Sequence, residues 1–119
     1  MKKYYNENNE FAVLVSYGYG AGWSTWTSMK PHDGEFVEFL FDNGFINKNK
    51  YGDLCVGFKT SDIEKIKLKC KELCGEDYIY LGGLYGSIIE WIKEGVSFKI
   101  KEYDGSESIE YRGSSGWNY

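Results

Sequence analysis

The pattern of apolar and polar positions predicts the first elements of this chain. Residues 11–15 form a continuous apolar run between a polar segment and a glycine-rich one, which is typical of a buried central strand. From Asp33 the apolar positions within residues 36–41 indicate a short helix, with Asp33 as its N-cap and Gly44 as its terminator. So dense a run of large apolar side chains also fits a strand.

A second helix carries the clearest local signals. Residues 61–64 form a capping box, in which the Ser61 hydroxyl is predicted to accept from the amide of Glu64 and the glutamate to reach back. Gly75 is placed to end the helix. Between the two helices, residues 45–57 are rich in Asn and Lys and are interpreted as a polar surface connection. The apolar positions at helical spacing are Ile63, Ile66, Cys70, Leu73 and Cys74.

Four strands are predicted after this helix, at residues 78–81, 88–92, 96–103 and 107–111. In the third of them apolar and polar positions alternate, as in a sheet with one solvated face. Asp104-Gly105 is a two-residue hairpin signal that returns the chain. The order strand, helix, helix and four strands predicts an α+β fold, a mainly antiparallel sheet of about five strands with two helices packed on one face.

At 119 residues the chain is expected to form a single domain, 1–119. Residues 1–9 are interpreted as a polar N-terminal tail, and residues 113–119 as a Gly/Ser-rich C-terminal tail with two aromatic residues. Trp117 or Tyr119 in that tail either docks on a partner or subunit or belongs to a frayed terminus.

Composition narrows the classes of function. With 18 acidic and 14 basic residues the net charge is −4, which argues against binding long nucleic acid. No apolar run approaches the length of a membrane span, and the N-terminus lacks the apolar stretch of a secretion signal, so we expect a cytoplasmic protein without a membrane partner. The three cysteines and one histidine show no metal-binding spacing, so no metal and no cofactor are expected.

The candidate site is the segment of residues 16–26, which combines glycines, large aromatic side chains and hydroxyls but holds no acid, base or metal ligand. It lacks both the Gly-Lys-Ser/Thr of a P-loop and the Gly-x-Gly-x-x-Gly spacing of a dinucleotide site. Its free amides can still form an anion-binding nest, and its rings can stack on a base, unless they fill the core. Arg112, the single arginine, is a candidate for neutralising a phosphate. The predicted ligand-binding residues are Tyr17, Tyr19, Gly20, Gly22, Trp23, Ser24, Thr25, Trp26 and Arg112.

Catalysis finds little support, and a non-enzymatic protein is expected. The only histidine, His32, follows Pro31 in a predicted loop, and no Gly-x-Ser-x-Gly motif occurs. A carboxylate pair could form on the C-terminal strands, but solvated acids beside lysines are the favoured interpretation. The acids concerned are Glu90, Glu102, Asp104, Glu107 and Glu110.

Two blocks of the sequence resemble a family of small phage-encoded proteins of undefined function: residues 13–26, VLVSYGYGAGWSTW, and residues 89–110, IEWIKEGVSFKIKEYDGSESIE. The resemblance implies phage origin and expression in a bacterial cytosol. Small phage accessory proteins often counter host defence, some by sequestering nucleotide immune signals and others by binding a defence protein.

Three hypotheses follow. The first is a counter-defence protein that sequesters a small nucleotide in the Gly/aromatic segment. There Tyr19, Trp23 and Trp26 would stack, and Ser24, Thr25 and loop amides would hold phosphate. Such a small chain is expected to form a homo-oligomer to enclose its ligand. The second is an inhibitor that binds a host defence protein, such as a CRISPR complex, through the same aromatics. The third is an assembly or accessory protein without a pocket.

Overall fold

The protein has an α+β fold, as the sequence predicts. The structure is a computed structural model that describes residues 2–112, the last of them by its backbone alone. Its elements are β1 (Glu10–Val15), α1 (Gly34–Asp42), β2 (Ile46–Lys48), β3 (Leu54–Val56), a 3₁₀ turn (Thr60–Asp62), α2 (Ile63–Cys74), β4 (Ile88–Lys93), β5 (Ser97–Tyr103) and β6 (Ser106–Arg112).

The strands form two antiparallel sheets, whereas the sequence predicts a single sheet of about five strands. Four strands pair in the order β1-β4-β3-β2, and β5 and β6 form a separate hairpin. In the larger sheet β4 has β1 on one edge, with Val15 opposite Ile88, and β3 on the other. β5 does not pair with β4, and the β5–β6 hairpin instead packs on the face of the sheet through Phe98 and Ile100.

Strand β1 lies at the centre of the packing although it is an edge strand by pairing. Its Ala12 and Leu14 side chains belong to a large core that also includes buried residues of α1 and α2. The alternate side chains point to a second core, where the hairpin contributes Phe98 and Ile100. Both helices therefore cover one face of the sheet and the hairpin covers the other, which accounts for the continuous apolar run of β1.

The helix boundaries confirm most of the local predictions. The Asp33 carboxylate caps α1 by accepting from the amides of Glu35 and Phe36, both at 3.1 Å. Gly75 ends α2 in the left-handed conformation, with φ of 78°. The predicted capping box is wrong: α2 is preceded by a 3₁₀ turn, and Asp62 accepts from the amide of Lys59 at 2.9 Å.

Two connecting segments differ from what the sequence predicts. The segment 45–57 contains β2 and β3, which pair from Ile46 opposite Val56 to Lys48 opposite Leu54. Residues 78–81 form no strand and belong to the loop between α2 and β4. Strand formation requires pairing with a neighbouring strand, and this segment pairs with none of the described strands.

The polar N-terminal segment is docked, which corrects its interpretation as a tail. Tyr5 forms a β-bridge with Phe11, and the amide of Ala12 donates to the Tyr4 carbonyl at 2.9 Å. The ring of Tyr4 stacks on Phe41 of α1 with centroids 5.1 Å apart. These residues cover backbone donors on the open edge of β1, which would otherwise be available to another chain. The predicted C-terminal tail, 113–119, lies outside the described residues.

The single histidine is part of the core. His32 is buried, and its ring lies edge-on to Phe98 at 5.8 Å and to Phe11 at 6.5 Å. Burial, together with the positive charge of Lys3, lowers the pKa of His32 to about 4. Asp33 opposes this shift and Lys30 adds to it. The imidazole is therefore neutral in the folded protein at neutral pH.

We predict that His32 makes folding sensitive to mild acid. Its pKa is lowered by folding, so the unfolded chain binds more protons between the ordinary value and about 4. The His32 contribution to stability is complete above pH about 6.5 and falls by roughly 2–3 kcal/mol towards pH 4. This loss is measured by comparing the free energies of unfolding in urea of wild type and His32→Gln. The measurements run from about pH 7.5 to about pH 4.5, on both sides of the ordinary histidine pKa of about 6.5. Equal pH slopes in the two proteins would contradict the prediction.

Candidate functional site

A buried carboxylate organises the predicted site. Glu107, on β6, has no exposed surface. Its Oε2 accepts from the amides of Trp23 and Thr25, at 2.9 and 3.0 Å, and from the Thr25 hydroxyl at 2.6 Å. Its Oε1 accepts from the amide of Ser16 at 3.0 Å. All four partners donate, which matches the acceptor-only oxygens of an ionised carboxylate.

The anion-binding nest that the sequence predicts is therefore filled by the chain itself. The Glu107 carboxylate takes amides and a hydroxyl within residues 16–26 that were expected to hold a phosphate. A phosphate in the same place would have to displace a carboxylate that is fully buried and hydrogen-bonded by four donors. Leaving such a carboxylate without partners costs several kcal/mol, roughly 3–5. The geometry therefore disfavours phosphate binding at this nest.

Backbone contacts fix the hairpin turn against the same segment. The amide of Gly20 donates to the carbonyl of Asp104 at 2.7 Å, and the Ser106 hydroxyl donates to the carbonyl of Tyr17 at 2.8 Å. Gly105, with φ of 86°, lies so close to Ala21 that a Cβ would overlap its backbone. The Asp104-Gly105 signal thus has two roles, since it forms the turn and permits the close approach.

Trp23 and Ser24 face inward rather than towards a ligand. The Trp23 ring is fully buried and stacks on Phe36 of α1 with centroids 5.6 Å apart. The Ser24 hydroxyl is also buried and has no hydrogen-bond partner within residues 2–112. The stacking and phosphate-binding roles expected for these two residues are therefore not available at the surface. Truncating Trp23 to Ala would cost about 3–5 kcal/mol of stability, so that variant cannot serve as a clean test of binding.

Tyr17 is held by a side-chain hydrogen bond, whereas Tyr19 is largely exposed to solvent. The Tyr17 hydroxyl donates to the Glu90 carboxylate on β4, and burial together with that hydrogen bond raises the pKa of Tyr17. Tyr19 is 75% exposed and lies beside Tyr103, which is 77% exposed at the end of β5. The two rings border a shallow cleft of about 260 Å³ whose remaining lining residues are Lys101, Glu102, Ser106 and Ser108. We call these six residues the Tyr19–Tyr103 surface.

Trp26 and Thr25 line a different cleft at the other end of the segment. Trp26 is 43% exposed, and its ring centroid lies 6.5 Å from that of Tyr80 in the loop between α2 and β4. The cleft has a volume of about 430 Å³. We call it the Trp26 cleft. Its lining residues are Thr25, Trp26, Thr27, Ser28, Glu76, Tyr78, Ile79 and Tyr80.

Of the other predicted residues, the two glycines shape the backbone, and the Arg112 side chain lies outside the described residues. Gly22 lies beneath Thr25 and Trp26, where an added Cβ would come within 3.0 Å of both side chains. Gly20 has φ of 87° and donates to the hairpin turn. The backbone of Arg112 ends β6 opposite Ser97, and its side chain lies outside the described part. The predicted role of Arg112 in neutralising a phosphate therefore lies outside the described residues.

The sequence does not single out three residues that shape the candidate site. Glu107 was interpreted as a solvated acid, although alternation along β6 places it on the same face as the inward-pointing Ile109. An acid on the apolar face of a strand was the signal available. Tyr80 and Tyr103 carried no comparable signal, since their exposure depends on which elements pack nearby.

Chemically the described residues offer hydrogen bonding, aromatic surfaces and scattered charges. No group of three His, Cys, Asp or Glu within residues 2–112 is placed to hold a metal ion. Burial raises the pKa of the Cys70 thiol to about 12, so it stays protonated, as expected for a small core residue. No helix in the described part of the chain is long and apolar enough to cross a membrane.

We predict that Glu107→Gln destabilises the fold strongly. The amide NH₂ replaces an acceptor where every neighbour donates, so one or more buried donors lose their partner at a cost of about 2–4 kcal/mol. Glu110→Gln is the matched control, on the same strand but in a partly exposed ion pair with Lys101 at 3.0 Å, and should cost less than about 1 kcal/mol. Equal urea midpoints for the two variants would show that the Glu107 network is not a principal support.

Comparison with known proteins gives no independent assignment. No family model, curated protein or solved structure matches this chain. The resemblance of residues 13–26 and 89–110 to phage-encoded proteins therefore stays a prediction.

Proposed function

We propose that this chain is a non-enzymatic binding protein that engages a protein partner through the Tyr19–Tyr103 surface. One observation carries the proposal: Tyr19, in the loop after β1, and Tyr103, at the end of β5, are each about three-quarters exposed around one shallow cleft. Tyrosine is enriched at protein interfaces because its rigid ring provides a large contact area and a polar group at low entropic cost.

The two rings stand on a fixed backbone. Tyr103 closes β5 opposite Ser106, and Tyr19 directly precedes Gly20, whose amide donates to the hairpin turn at 2.7 Å. Binding therefore orders only the side chains, which limits the entropic cost of association. Lys101 and Glu102 border the rings and supply a polar rim, the arrangement that surrounds aromatic anchors in protein interfaces.

Sequestration of a nucleotide-type immune signal receives less support from this geometry. The Glu107 carboxylate takes the donors that were assigned to phosphate, and Trp23 is buried against Phe36. The resemblance to phage-encoded proteins leads us to propose a bacterial defence protein as the partner, with expression in a bacterial cytosol. Homo-oligomer formation and a role in phage assembly remain untested predictions.

The test uses paired tyrosine variants as bait in bacterial lysate. We expect wild type to retain a defined protein, and Tyr19→Ala/Tyr103→Ala to reduce its retention at least tenfold because both anchors are lost. Tyr51→Ala is the matched control, since Tyr51 is 76% exposed but lies in the β2–β3 connection. It should retain the partner fully.

Two results would contradict the proposed function. Equal retention by the double variant and wild type would exclude the Tyr19–Tyr103 surface as the interface. Native mass spectrometry with cyclic and ADP-ribose-derived nucleotides covers the other hypothesis. A discrete ligand mass on wild type, with no partner protein retained, would favour nucleotide sequestration over the function proposed above.

A further inference from the structure

We propose that the Trp26 cleft is a second binding site, which holds the guanidinium or ammonium group of an arginine or lysine side chain on a protein. Three aromatic side chains, Trp26, Tyr78 and Tyr80, line the cleft, and all three are exposed. One carboxylate, Glu76, lines it with them. Aromatic rings attract a cation to their negative faces, most strongly when several rings surround it, and a nearby carboxylate supplies the countercharge.

The rings of Trp26 and Tyr80 pack against the backbone of glycine residues. A Cβ at Gly82 would overlap the Tyr80 ring, and a Cβ at Gly22 would come within 3.0 Å of Trp26. Gly83 in turn lies against the backbone of Gly22, so the loop after α2 and the segment 16–26 meet at glycines. Because each ring rests directly on backbone, the cleft is largely formed before any ligand arrives.

The charges of the residues that line the cleft favour a cationic ligand. The Ser28 hydroxyl donates to Glu76 Oε1 at 3.0 Å, which orients the carboxylate at the cleft. The neighbouring Asp77 is paired with Lys71 at 2.7 Å, so Glu76 is the acid directed to this site. Among the described residues that line the cleft there is no lysine or arginine. A phosphate would meet a negative group there, whereas a cation is attracted.

A cation already approaches one ring from within the molecule. Lys67 of α2 holds its Nζ 5.7 Å from the centroid of Tyr78, near the outer limit of a cation–π contact. Lys67 does not line the cleft itself, so the rings of Trp26 and Tyr80 remain for an incoming group. The site is distinct from the Tyr19–Tyr103 surface and its test does not depend on that surface.

The experiment measures binding of acetyl-Gly-Arg-Gly-amide by ¹H–¹⁵N correlation spectra of the full chain. The chain has four tryptophans, and Trp26→Phe identifies the Trp26 indole signal. We expect a saturable shift of that signal with a dissociation constant on the order of 1 mM. The citrulline peptide, which keeps the shape but lacks the charge, should bind at least about fivefold more weakly. A lysine peptide at the same ionic strength should shift the same signal.

Two variants measure separately how much the carboxylate and the aromatic rings contribute to binding. Glu76→Gln should weaken binding of the arginine peptide about threefold, as expected for the loss of an exposed ion pair. Trp26→Ala should weaken its binding about fivefold or more. Glu38→Gln, an exposed acid that pairs with Lys2 at 3.3 Å, is the control and should change nothing. Equal affinity for arginine and citrulline peptides, or full affinity in Glu76→Gln, would overturn the cation site. A shift of the Trp26 indole by nucleotide or saccharide but not by the arginine peptide would overturn it as well.

Discussion

The structure depends on one buried carboxylate and the donors that surround it. Glu107 joins the hairpin to residues 16–25 through four hydrogen bonds, and its own amide donates to the Ser16 carbonyl at 2.6 Å. Burying an ion is costly unless its partners are complete. The shape of the glycine-rich segment and the position of the hairpin are therefore mutually dependent, because neither can move without exposing or orphaning this group.

That constraint determines which surfaces the protein can offer. Because the segment turns its amides inward to Glu107, its side chains divide between the interior and the solvent. Trp23 packs into the helix-side core, while Tyr19 and Trp26 emerge at two separate clefts. A segment whose composition fits a ligand pocket thus becomes a rigid support for exposed rings. Glycine serves here less for flexibility than for close approach, at Gly22 and Gly105 above all.

Local signals predicted the elements that local interactions determine. The Asp33 cap, the Gly75 terminus and the Asp104-Gly105 turn each act over a few residues, and each is found where it was expected. Strand assignment was poorer. The sequence gives no sign of the β2–β3 pair and predicts a strand at residues 78–81 that does not form, because strand pairing depends on which segments meet in the folded chain. The polar composition of the N-terminal residues predicts a tail, because it gives no sign of the open edge of β1 that they cover.

The sequence by itself determined the fold class, the two helices, the hairpin and the candidate segment. Only the tertiary structure decided that Glu107 fills the predicted nest, that Trp23 is core and that Tyr19 and Trp26 are exposed. The physical reason is distance along the chain: Glu107 bonds residues that precede it by 82 to 91 positions. Local propensity acts within a turn or a strand, whereas burial and the pairing of a buried charge are settled by whichever remote elements pack together.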